Sequence, residues 1–172
     1  MRTVYKGLMV LCTGVVVMTS ASFGMELKGE ELAHSKIYKP TVSAVEKCLR
    51  KMGYESTIDE DGDLKFKINK GKWRAFVIFN RYKSSKKIWN LQVMSQFSAK
   101  KSHYDEMLIF ANKWNSKKKF PKVSIIDQDS MRMIINHPVE YGFNPDEFET
   151  NVIEVFETAV KQIVQEADPM LK

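Results

Sequence analysis

Residues 111–122 of the chain read A-N-K-W-N-S-K-K-K-F-P-K. The residues before this tract have the apolar spacing of a helix and those after it alternate like a strand, so the tract joins a helix to a strand. We expect Trp114 to fill a place in the core and Asn115 to end the helix with a left-handed turn, which asparagine tolerates. We expect Phe120 to be buried too, with Pro121 holding it extended and preventing another helical turn.

The same tract has a second interpretation, as a binding surface. The indole of Trp114 and the amide of Asn115 are suited to stacking on a ligand and hydrogen bonding to it, and the lysines add positive charge. The candidate partner-binding residues are therefore Lys113, Trp114, Asn115, Lys117, Lys118, Lys119, Phe120 and Pro121.

Three segments have the spacing of amphipathic helices. The first follows Pro40 and ends at Gly53, which adopts the required left-handed turn without steric cost; its apolar face is Val42, Val45, Leu49 and Met52. The second covers residues 102–114, with Ser102 as its N-cap. The third begins at Asn144 as N-cap and carries the apolar stripe Phe148, Val152, Val155, Phe156, Ala159 and Ile163.

The segments between these helices alternate between apolar and polar residues, as strands do. Residues 54–97 predict an antiparallel meander, with an Asp-Gly turn at 61–62 and with Trp89, Leu91, Val93 and Phe97 facing the core. Two further strands follow the second helix. The fold class predicted is α+β: an antiparallel sheet of about five strands with helices on one side, in the order α-β-β-β-(β)-α-β-β-α.

The N-terminal residues have the layout of a secretory signal peptide. Arg2 and Lys6 precede an apolar run, and small residues follow, so cleavage is expected after Ser22 or Gly24. The prediction is a signal peptide at 1–24, a flexible lead-in at 25–39 and one domain at 40–168, with the protein periplasmic or secreted. An uncleaved N-terminal membrane anchor is the alternative, although the apolar run is shorter than the about 20 residues of a typical span.

Chemistry-bearing residues are sparse in the sequence. After cleavage Cys48 is the one cysteine, and we expect a quiet, half-buried thiol; a reactive thiol is the alternative. His34, His103 and His137 lack metal-ligand spacing, and Asp59, Asp61 and Asp63 favour a solvated turn over a calcium loop. No catalytic motif, cofactor or metal site is predicted, and the expectation is a protein that is not an enzyme.

Charge is distributed unevenly along the chain. Residues 64–122 contain 16 Lys and Arg against Asp105 and Glu106, whereas residues 123–171 contain ten carboxylates against Arg132 and Lys161. This asymmetry indicates either an anionic partner or basic and acidic parts that face each other. Nucleic acid is not an expected partner of an exported protein.

Several stretches together resemble the YbjN domain family, bacterial proteins described as sensory transduction regulators. They are L-R-K-M-G-Y-E at 49–55, I-D-E-D-G-D-L at 58–64, the tract at 111–122 and the capped helix after Tyr141-Gly142. The resemblance implies a fold similar to that of class I type III secretion chaperones, small α+β dimers that bind extended polypeptide. The chain departs from the family's largely cytoplasmic members by its apparent export signal, and its turn at 127–129 lacks the family's glycine.

From these observations we expect an exported, non-enzymatic binding or adaptor protein that binds a polypeptide or acts in envelope stress or sensory regulation, and we expect it to be a homodimer. The expected contacts are the sheet and the apolar stripe of the last helix, with the lysines at 113–122 steering acidic partners. The alternative is a protein that binds an anionic ligand or an anionic membrane surface through the basic meander at 65–87.

Overall fold

The structure is a computed structural model that describes residues 36–172. The predicted signal peptide and most of the lead-in therefore lie outside the described residues. The elements follow the chain as α1 (Val42–Lys51), β1 (Ser56–Ile58), β2 (Leu64–Ile68), β3 (Trp73–Arg81), β4 (Ile88–Ser98), α2 (Tyr104–Lys117), β5 (Lys122–Asp127), β6 (Ser130–Pro138), α3 (Pro145–Glu147), a π-helical segment (Phe148–Ile153) and α4 (Glu154–Ala167). The predicted α+β class and element order are confirmed, with six strands rather than about five.

The strands form one antiparallel sheet in the order β1-β2-β3-β4-β6-β5. Leu64, Val77, Val93 and Ile135 stand side by side across four strands, and all are buried. They form one core cluster with the buried residues of all the long helices. The helices therefore cover one face of the sheet, which we call the inner face, as predicted.

Local signals set the ends of two helices as the sequence predicted. Gly53 follows α1 with φ +84°, and its N–H donates to the carbonyl of Arg50 at 3.0 Å. The Oδ1 of Asn144 accepts from the N–H groups of Asp146 and Glu147 at 3.1 and 3.4 Å. Both arrangements satisfy backbone groups that a helix end leaves without an intrahelical partner.

The predicted start of the second helix is wrong. Ser102 lies within a 3₁₀ turn, Lys101–His103, and α2 begins at Tyr104 without a side-chain cap. A serine before an apolar run is a helix-start signal, but the 3₁₀ turn already closes the chain there, so the cap is not used.

Two predicted core positions are exposed because the regular period is interrupted. Trp89 is an extra residue in β4, since Asn80 pairs with Asn90 and Arg81 with Ile88; the bulge buries Ile88 and leaves Trp89 40% exposed. In the last helix, the π-helical turn adds a residue before α4. Val155 therefore leaves the buried stripe and is 38% exposed.

The last residues of the predicted lead-in contact the domain. Tyr38 and Phe143 exchange two backbone hydrogen bonds, of 2.8 and 2.7 Å. The adjacent Gly142 has φ +142°, and a Cβ at that position would collide with the side chain of Ile37. A glycine is therefore required where residues 37–38 pass over the chain.

Candidate functional site: the groove beside the 118–121 loop

The Trp114 side chain fixes the end of the loop that follows α2. Trp114 is 4% exposed, in contact with Phe110 at 6.0 Å between ring centroids. Its Nε1–H donates to the carbonyl oxygen of Pro121 at 2.9 Å, and Pro121 is buried. The predicted core position of Trp114 is confirmed, and its one polar atom is satisfied by the loop.

The predicted role of Asn115 as a helix-ending turn is wrong. Asn115 lies inside α2, which continues to Lys117. Its Nδ2 donates to the carbonyl of Val123 at 2.7 Å, and its Oδ1 accepts from the N–H of Val123 at 2.9 Å. The side-chain amide thus pairs with both backbone groups of one β5 residue, so a long-range partner replaces the local turn.

Lys122 completes the connection between α2 and β5. Its Nζ donates to the carbonyls of Asn115 and Lys118, at 3.0 and 2.8 Å. These carbonyls lie at the C-terminal end of the helix, where a cation is favourable. We call Trp114, Asn115, Pro121 and Lys122 the clamp.

The residues within the clamp face outward. Lys117 and Lys119 are exposed, and Lys118 places its Nζ 5.6 Å from the centroid of the Trp114 ring. Phe120 is 60% exposed, so its predicted burial is wrong. The buried aromatic position beside this loop is occupied by Trp114, which leaves Phe120 outside.

Phe120 borders a groove between the loop and the C-terminal helix. The groove has a volume of about 360 Å³ and is lined by Trp114, Lys118, Phe120, Thr150, Glu154, Val155, Thr158, Ala159 and Gln162. An adjoining cleft of about 450 Å³ shares Trp114 and Lys118 and adds Phe110, Lys113, Lys117 and Glu166. The first combines four apolar side chains with hydroxyl, amide and charged groups, and the second is basic on its α2 side.

The structure divides the candidate residues of the sequence. Trp114, Lys118 and Phe120 line the groove, and Lys113 and Lys117 line the adjoining cleft, whereas Lys119 lines neither. Asn115 and Pro121 serve the clamp. Sequence reasoning missed Thr150, Glu154, Thr158 and Gln162 on the helix side, whereas Val155 and Ala159 belong to the apolar stripe that was expected to make contacts. A π-helical turn, which no periodicity reveals, brings Val155 to that side.

A family model described as "YbjN: Putative bacterial sensory transduction regulator" matches residues 41–168. The chain belongs to the YbjN family. The crystal structure of E. coli YbjN, titled "a putative transcription regulator", is similar to this chain with a TM-score of 0.63 and 12% identity, covering 80% of this chain and 99% of that one. At that identity the likeness shows the fold. No curated protein matches the chain.

The titratable side chains of Cys48 and His137 lie away from the groove in this YbjN domain. Burial raises the pKa of Cys48 to about 11, and its Sγ donates to the carbonyl of Pro145 at 3.5 Å. The thiol is therefore protonated at neutral pH and a poor nucleophile. Burial also lowers the pKa of His137, which Glu147 partly offsets.

The aspartate-rich turn is a structural feature of the hairpin. Asp59 Oδ1 accepts from the N–H groups of Asp61 and Asp63, at 3.1 and 2.9 Å. Within residues 36–172, no group of three or more His, Cys, Asp or Glu side chains is arranged to hold a metal ion. No helix in the same range is long and apolar enough to cross a bilayer.

Proposed function

We propose that this YbjN-family chain is an exported, non-enzymatic binding or adaptor protein that holds a polypeptide segment in the groove beside the 118–121 loop. The observation that carries the proposal is Phe120, 60% exposed beside Val155 at 38%. An exposed aromatic residue that lines a groove with Val155 and Ala159 is suited to an apolar side chain of a partner.

Charge supports a polypeptide with acidic residues next to that apolar side chain. Lys113, Lys117 and Lys119 are exposed, and none forms an ion pair with another residue of the range 36–172. Glu154 and Glu166 lie on the helix side of the two clefts. The proposed segment would therefore direct carboxylates toward α2, where long-range attraction also speeds association.

The apolar stripe of the last helix is only partly available for the expected contact, since Val155 and Ala159 line the groove and the other members are buried. Phe148, Val152, Phe156 and Ile163 are at most 2% exposed, so they belong to the core. The outward residues Thr150, Val155, Thr158 and Gln162 take their place at the proposed surface.

A test uses a photo-crosslinking amino acid at position 120 of the full chain, produced in a bacterium with an intact envelope. A second protein carries the same amino acid at Tyr141, which is 95% exposed and lines neither cleft. The proposal expects a polypeptide adduct from position 120 that is lost with Lys117→Glu and is absent from position 141. Equal adducts from both positions would refute it.

Export and assembly have separate measurements. Mature protein recovered from the periplasm should begin after Ser22 or Gly24; an intact Met1 in the membrane fraction would indicate an anchor instead. Light scattering after size exclusion should give the mass of a homodimer. A monomer at micromolar concentration would contradict the dimer and leave the groove proposal standing.

A further inference from the structure

The outer face of the sheet, opposite the helices, carries a row of apolar side chains. Phe76, Met94 and Ile134 are directly adjacent across β3, β4 and β6, and Ile78 follows Phe76 on β3. All four are half-buried and lie outside the core cluster. Strands of an antiparallel sheet commonly alternate apolar inward and polar outward, so an apolar row on the second face calls for an explanation.

The charged side chains that β2, β3, β4 and β6 contribute to this face are all positive. β2, β3, β4 and β6 contain no Asp or Glu at all, and Lys65, Lys67, Arg74 and Arg132 lie on the outer face. None of these four forms an ion pair within residues 36–172. Lys67 stands directly opposite Arg74, and like charges in that position destabilise a sheet. Stability of the domain alone does not account for the arrangement.

A concave site connects the cations to the apolar row. A cavity of about 530 Å³ is lined by Lys65, Lys67 and Arg74, with Gly53, Tyr54, Glu55, Thr57 and Phe66. Lys65 is the cross-strand neighbour of Phe76, so the basic cavity opens beside the first residue of the row. Glu55 is the one carboxylate of the lining, and three cations outnumber it.

Arg132 on β6 has a buried hydrogen-bond donor that lacks an acceptor among the described residues. Its Nε is buried and has no hydrogen-bond partner among the described residues. Its Nη2 donates only a long hydrogen bond, 3.4 Å, to Oε1 of Gln96. Arg132 is the neighbour of Met133 and Ile134 on β6, at the end of the apolar row away from the cavity. A buried donor without an acceptor is costly, so the half-buried Arg132 side chain gains by turning toward a carbonyl or carboxylate that binds on this face.

We infer that the outer face is a docking surface for an acidic polypeptide segment that carries apolar side chains. Its carboxylates enter the cavity of Lys65, Lys67 and Arg74, its apolar side chains cover Phe76, Met94 and Ile134, and an acceptor reaches Arg132. A second copy of the chain fits poorly, because two faces without strand carboxylates would bring like charges together. A bilayer fits poorly as well, since half-buried side chains do not project into the acyl region.

This surface and the groove lie on opposite sides of the sheet, because α2 and α4 pack on the inner face. Two segments could therefore be bound at once, which is what an adaptor requires. The inference stands apart from the groove proposal, since it depends on other residues.

The test measures fluorescence anisotropy of a labelled peptide in which Glu alternates with Leu and Val, titrated with the mature protein. A peptide alternating Glu with Ser is the control probe. The variant Lys67→Glu/Arg74→Glu reverses the cavity's charge, and Lys70→Glu/Lys72→Glu makes the same change in the exposed β2–β3 turn. Met94→Gln alters the row at nearly constant size. Thermal unfolding checks that each variant is folded.

Lys67→Glu/Arg74→Glu should weaken binding of the Glu-Leu-Val peptide about tenfold or more. Lys70→Glu/Lys72→Glu should bind this peptide within about twofold of the wild type. Met94→Gln should weaken it several-fold and leave the Glu-Ser peptide unchanged. Equal losses in both charge variants, or no binding by the wild type, would overturn the inference. So would tight binding to phosphatidylglycerol vesicles that Lys67→Glu/Arg74→Glu abolishes while peptide binding persists, or a dimer that this variant dissociates.

Discussion

The clamp and the loop it encloses are adjacent in sequence and opposite in character. The side-chain polar groups of the clamp are paired: Trp114 with Pro121, Asn115 with Val123, and Lys122 with two carbonyls of α2. The enclosed residues 117–120 are three lysines and a largely exposed phenylalanine. The conspicuous residues of a motif can thus serve the fold, while the plainer residues between them form the surface available to a partner.

Among the variants that distinguish the clamp from the enclosed loop, Trp114→Ala should lower the free energy of unfolding most. It empties a buried site and removes the partner of the Pro121 carbonyl, so we expect a loss of about 3–5 kcal/mol in the free energy of unfolding. Urea unfolding measures it. Trp89→Ala is the matched control, because Trp89 is 40% exposed; an equal loss there would contradict the distinction.

Asn115→Ala should have the next largest effect. It leaves the N–H and carbonyl of Val123 without their partner, which costs about 1–3 kcal/mol. Asn112→Ala, an exposed position in the same helix, should change stability by no more than about 0.5 kcal/mol. The same urea measurement decides, and equal values for the two variants would mean that the amide contributes nothing specific.

Lys122→Ala tests whether Lys122 contributes to stability as a member of the clamp. The loss of hydrogen bonds to two helix-end carbonyls should cost about 0.5–1 kcal/mol at this exposed position. Lys119→Ala removes a lysine that lines neither cleft and should leave thermal stability unchanged. A larger loss of stability from Lys119→Ala than from Lys122→Ala would show that Lys122 does not belong to the clamp.

The smallest effect on stability is expected from Phe120→Ser. A side chain that is 60% exposed contributes little to folding, so the change should be within about 0.5 kcal/mol. The same variant should lose partner binding at the groove, measured by the yield of crosslink from a photo-crosslinking amino acid at position 155, which lines the groove. Unfolding of this variant would show that Phe120 belongs with the clamp.

Local signals predicted most of the fold. The capped start at Asn144, the turn at Gly53 and the alternation of β2 each depend on residues within a few positions, and the structure reproduces them. The fourth strand before α2 was left optional and is present, which makes six strands in all.

The errors arise where a distant partner or an inserted residue overrides the local pattern. Asn115 pairs with Val123, eight positions later, so its local preference for a turn is not used. Trp89 and Val155 lie at a β-bulge and after a π-helical turn, each of which adds one residue to a regular period. The two sides of the groove were each expected to make contacts, but their meeting in one groove could not be predicted, because α2 and the last helix are distant in sequence.

The amide of Asn115 also has a consequence for the edge of the sheet. β5 is an edge strand, and edge strands with free backbone groups can template pairing with other chains. At Val123 both outward backbone groups are already bound by a side chain of the same molecule. The motif that connects helix to strand therefore also protects the sheet against growth by intermolecular strand addition at this residue.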